Sequence, residues 1–137
     1  MKRLINPKQL FLIDGLGALL SALLLGVVLV RLEGCFGIPP PTLYLLAVFP
    51  CCFAAYDYYC YSNAEQHCKI QLTRIATANL LYCCLSIGLA IYHSNTLTLW
   101  GWSYLLGELI IVITLAIIEL RVAQNNHKRK MSQNTNR

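Results

Sequence analysis

Four continuously apolar runs, Leu10 to Val30, Leu43 to Tyr61, Leu72 to Tyr92 and Leu99 to Leu120, take up most of this chain of 137 residues. A hydrocarbon layer about 30 Å thick is crossed by roughly 20 helical residues, so each run is long enough to span a bilayer, the second only just. Strands of a membrane barrel would be about half as long and would alternate apolar with polar residues. Continuous apolar runs therefore predict an all-α fold: an integral membrane bundle of four antiparallel transmembrane helices, each closing its own backbone hydrogen bonds.

Four crossings place both termini and the middle loop on one face. Lys2, Arg3, Lys8, Lys69, Arg74, Arg121, Lys128, Arg129, Lys130 and Arg137 fall on that face, and Arg31 alone falls on the other. Positive charge in short loops is retained on the cytoplasmic side, so both termini are expected inside the cell in a multi-pass protein. The formal net charge of +5 sits almost wholly outside the runs. It predicts anionic lipid headgroups as the partner of the basic tail, and not nucleic acid.

The domain organisation read from the chain is a transmembrane domain over 1–124 and a basic, disordered cytoplasmic tail over 125–137. Lys2 and Arg3 ahead of an apolar stretch resemble a signal peptide, but the stretch is too long, carries Asp14 and lacks a cleavage site after it. Leu32-Glu33-Gly34-Cys35 resembles a lipid-attachment box, with Glu33 where a small neutral residue belongs. The connection Arg31 to Thr42, with Pro39-Pro40-Pro41, is expected to form a stiff turn before the second span. Trp100, Trp102, Tyr56, Tyr58, Tyr59 and Tyr61 sit at span ends and read as interfacial anchors.

Small residues mark the faces where helices can approach closely. Asp14, Ala18, Ala22 and Gly26 form one such stripe, and Ala47, Pro50, Ala54 and Asp57 form another. The seven cysteines contain no Cys-x-x-Cys pair, and adjacent cysteines on a helix point about 100° apart, so they read as small buried side chains. Cys60, His67 and Cys68 fit no zinc spacing. No metal, cofactor or catalytic residue is assigned, and the chain is not expected to be an enzyme.

Ionisable groups inside the runs carry more information, because a charge at mid-bilayer costs several kcal/mol. Asp14, Asp57, Arg74 and Glu119 lie within one or two turns of the cytoplasmic ends and are expected to form an inner-leaflet ion cluster, with Arg74 either snorkelling to the surface or pairing with Asp57 or Asp14. Glu108 is deeper. It shares a helical face with Tyr104, and Tyr82 and Asn79 on the third run are expected within its reach, which makes Glu108, Tyr104, Tyr82 and Asn79 a candidate intramembrane polar site.

The stretches Asn6-Pro7-Lys8, Leu12-Ile13-Asp14-Gly15, Phe36-Gly37-Ile38-Pro39, Ala78-Asn79-Leu80-Leu81-Tyr82-Cys83 and Tyr104 through Glu108 to Glu119-Leu120 resemble a group of small, uncharacterised bacterial proteins with four transmembrane helices. The resemblance implies a bacterial inner membrane location and no activity. The function expected first is an interaction or accessory subunit, packed as a homo-oligomer or in a larger membrane complex. The alternative is a small proton-coupled transporter or permeation subunit built on an intramembrane carboxylate.

Overall fold

The computed structural model describes residues 6–63 and 67–135, all of whose regular structure is helical. Helix α1 spans Pro7–Leu23 and runs on through a π-helical stretch, Leu24–Leu29. A short α2, Glu33–Phe36, precedes α3, Pro40–Ser62, α4, Cys68–Tyr92, and α5, Leu99–Thr135. Three stretches, Pro7–Leu29, Pro40–Ser62 and Cys68–Tyr92, are long and apolar enough to cross a membrane. Lys2, Arg3 and Arg137, which entered the charge reading, lie outside the described residues.

Local chemistry sets the helix starts. Asn6 caps α1 by accepting from the Lys8 backbone N–H at 3.2 Å, and Pro7 takes the first helical position. Of the three prolines expected to make a turn before the second span, two begin the span itself. Pro39 is extended at φ −61° and ψ 141°, and Pro40 and Pro41 occupy the first turn of α3, where a missing N–H leaves no bond unmade. Helix α3 then runs uninterrupted through Pro50.

A second departure is at the far end of the chain. Asn125–Thr135, expected to be disordered, continues α5 as helix to a total of 37 residues, a rod of about 55 Å. No Gly or Pro follows Gly107, so nothing in the sequence stops a helix already nucleated. Ala123, 2% exposed, packs with Leu10, Phe11, Cys60, Leu72 and Ile75, and holds the extension against the ends of α1, α3 and α4.

Helices α1 and α3 pack closely along their length, as do α4 and α5, and contact between the two pairs is much sparser. The surface is inverted relative to a water-soluble domain. Leu16, Leu19, Leu81, Ile91, Ile110 and Ile111 are all more than half exposed, while Asp14, Asp57, Asn79, Glu108 and Glu119 are buried. Such an arrangement suits an apolar solvent, and together with the three membrane-length helices it marks a membrane protein.

Where the chain returns across the end of the bundle opposite the termini, α2 is clasped to the start of α5. The Phe36 carbonyl accepts from the Thr98 N–H at 3.1 Å, the Thr98 hydroxyl donates to the Cys35 carbonyl, and the Gly101 N–H donates to that hydroxyl oxygen at 3.3 Å. Gly37 ends α2 in the left-handed region at φ 74° with its N–H bonded to the Glu33 carbonyl at 2.7 Å. A β-carbon there would overlap the Thr96 carbonyl oxygen.

Candidate functional site

The small-residue stripe of α3 faces inward: Ala47, Pro50 and Asp57 are buried, and Ala47 approaches Gly26 of α1. Lower on the same seam, Gly15 lies over Asp57, and a β-carbon at Gly15 would stand 3.2 Å from the Asp57 β-carbon. Glycine thus lets α1 and α3 close on each other with Asp14 and Asp57 at neighbouring levels.

Asp14, Asp57 and Glu119, from α1, α3 and α5, lie within range of one another's charge. They are 4%, 1% and 0% exposed. Helix α4 contributes Asn79, whose amide donates to both oxygens of Asp14 at 3.4 and 3.3 Å. Each of the four long helices therefore supplies one polar side chain to a single buried cluster. Among the described residues no backbone N–H or hydroxyl bonds the oxygens of Asp57 or Glu119; the Asp14 carboxyl neighbours both, and the Asn79 amide also lies beside Glu119.

Two sequence expectations are corrected here. Arg74 does not join the acids. It is exposed on the outer side of α4, beside Tyr56 and the shallow groove lined by Cys52, Phe53 and Ile75. Arg74 and Asn79 are five residues apart, about 140° around a helix, so once Asn79 faces the bundle Arg74 must face away. Asn79 in turn serves Asp14 and not Glu108, because the level at which α1 meets α4 brings Asp14 to it.

Glu108 has its own partners. It is buried, and the Tyr82 hydroxyl donates to its Oε1 at 3.1 Å. Ser21 of α1 also faces its carboxyl, and Tyr104, one turn back on α5, stands within its field without a hydrogen bond. Tyr82 is held by rings from α3, with centroids 6.2 Å from Phe49 and 6.0 Å from Phe53. Tyr104 meets Phe36 edge to face at 6.2 Å. Ser86, 1% exposed, lies beside Tyr82 with its hydroxyl oxygen unpaired.

The two groups form one polar seam between the helix pairs. Asn79 bonds the carboxyl cluster and Tyr82 bonds Glu108, and these residues are one turn apart, about 4.5 Å along α4. Ser21 was not singled out from the sequence, although it follows Asp14 by seven residues and so shares its face. Gln71, buried with an unpaired side-chain oxygen, was likewise missed, since a lone glutamine near a helix start gives no periodic signal.

Tyr82→Phe removes one hydroxyl and leaves the ring packing intact. The expected loss of stability is about 0.6 kcal/mol and no more than ~1.7, the range of interhelical hydrogen bonds in membranes, read by denaturant unfolding in micelles. Among the described residues no three His, Cys, Asp or Glu side chains converge as metal ligands. All seven cysteines are free thiols, with Cys60 and Cys83 buried and Cys35, Cys51, Cys52 and Cys84 exposed. No family model, no curated protein and no solved structure matches the chain.

Proposed function

We propose that this is a multi-pass protein of the bacterial inner membrane, with α5 as a fourth crossing over Leu99–Leu120 and both termini cytoplasmic. On this reading it is a small proton-coupled transport or permeation protein that works through the carboxyls between its helix pairs. The observation that carries the reading is that Asp57 and Glu119 are fully enclosed against the Asp14 carboxyl, each near enough to share a proton with it, while among the described residues no backbone N–H or hydroxyl bonds their four oxygens.

Three like charges in an apolar interior would repel one another and forgo hydration, so the enclosed acids need protons or a mobile cation to persist together. Adhesion alone does not require that arrangement, because an apolar side chain of similar size can pack there at comparable or lower cost. Contact between the α1–α3 and α4–α5 pairs is sparse, which supports the reading, since a small relative movement of the two pairs would change the acids' access to water.

The test is proton flux into liposomes carrying a pH dye, driven by a potassium diffusion potential. Wild type is expected to exceed empty liposomes. Glu108→Gln, which keeps the side chain's shape and removes its exchangeable acid proton, is expected to lower flux while the bundle stays assembled. Wild-type flux equal to that of empty liposomes, or a Glu108→Gln protein indistinguishable from wild type, would return the chain to the accessory reading.

A further inference from the structure

At the end of the bundle that carries the termini, the helical extension of α5 forms a groove of about 350 Å³ with the first residues of α1 and α4. Lys69, His127, Arg129 and Lys130 line it, with Asn126, Gln133, Pro7 and Cys68 between them. Among the described residues no acidic side chain lines it. We propose that this groove binds the phosphate of an anionic phospholipid headgroup, one lipid to each chain.

Diffuse attraction of a basic tail to a charged surface needs no shape, whereas this groove has one. Ala123 packs into the core just below it, and the Asn126 amide meets the Cys68 sulfur at 3.9 Å, which fixes the extension against the start of α4. Lys130 is thereby brought up to Cys68, and Lys69 faces it from the other wall. His67 caps α4 with its backbone alone, so the positive end of that helix adds to the same field.

Position selects a lipid over a free anion. The groove sits directly above Leu10, Leu72 and Ala123, at the level where the apolar length of α4 begins, so a phosphate held there has its acyl chains beside the bundle. Basic pockets between helices at the cytoplasmic surface suit such headgroups. The inference rests on the membrane placement given above and not on proton movement.

Lys128 supplies an internal control: it lies between groove residues in sequence but does not line the groove. Binding of phosphatidylglycerol to the full chain in neutral micelles, followed by native mass spectrometry, is expected to saturate at one lipid per chain. Phosphatidylcholine and inorganic phosphate are expected not to compete. Lys69→Gln and Arg129→Gln should each weaken binding by about fivefold, near the contribution of one basic residue at a membrane surface. Lys128→Gln should change it by less than about twofold, since its charge is not directed at the headgroup.

Equal loss with Lys128→Gln and Arg129→Gln would overturn the proposal in favour of an unstructured polybasic attraction. Displacement by inorganic phosphate would overturn the lipid assignment, and equal binding of phosphatidylcholine would overturn the charge argument. These substituted residues are exposed, so helicity by circular dichroism should match wild type. A chain that passes no protons would still bind lipid if the groove is as described, which separates failure of one proposal from failure of the other.

Discussion

Asp57→Asn and Glu119→Gln are each expected to reduce proton flux through the reconstituted chain by about tenfold or more, a barrier increase of at least ~1.4 kcal/mol, and Arg74→Gln is expected to leave it unchanged. Both acids are fully enclosed, and among the described residues no backbone N–H or hydroxyl bonds their oxygens. The amide replacements keep volume and can still donate and accept hydrogen bonds, so they remove the ability to gain and lose a proton with little change in packing. Arg74 tests the geometry from the other side. Had it neutralised the cluster, its loss would leave buried charge unpaired and damage both fold and flux; facing outward beside Tyr56, it is free to be replaced. Flux in pH-dye liposomes, normalised to reconstituted protein, checks all three. A strong Arg74→Gln phenotype together with silent Asp57→Asn and Glu119→Gln would contradict the described cluster.

Gly37→Ala is expected to be the most damaging single methyl that can be added to this bundle. The left-handed backbone at φ 74° costs a residue with a β-carbon about 1–2 kcal/mol. The added carbon would also overlap the Thr96 carbonyl oxygen, and overpacking of that kind costs a further ~1–3 kcal/mol. Relief requires moving the 93–98 connection, which would pull Thr98 from its bonds to Phe36 and Cys35 and open the clasp between α2 and α5. Gly17, Gly88 and Gly107 have open space where a β-carbon would go. Alanine at those three positions is therefore expected to unfold at or above the wild-type midpoint. Thermal unfolding midpoints in micelles for the four variants give the comparison, and equal midpoints for Gly37→Ala and Gly88→Ala would contradict the strained turn.

Much of the fold is legible in the residues because the information is local. Helix follows from run length and hydropathy: α3 and α4 contain the apolar runs read for them, α4 ending on the same residue, while the first run is covered as far as Leu29 by α1 and its π-helical continuation together. The inward face of Ala47, Pro50 and Asp57 follows from helical spacing. The outward turn of Arg74 is also implicit in its five-residue distance from Asn79, and pairing charges by depth alone overlooks it. The helical tail is harder to read. Its polar composition favours disorder, and its order comes from Ala123 and Asn126 meeting α1 and α4, contacts far apart in sequence.

The chain by itself thus determines that it is helical, that its helices match a bilayer in length and that acids lie within them, because backbone hydrogen bonding and apolar run length depend on neighbouring residues alone. Which acids meet is decided by tertiary structure. Asn79 could equally have served Glu108 or Asp14, and only the relative sliding of α1, α4 and α5 gives it to Asp14, leaves Tyr82 to Glu108 and encloses Asp57 and Glu119 beside the Asp14 carboxyl. That sliding is set by the summed packing of all the helices, in which no single residue carries the register.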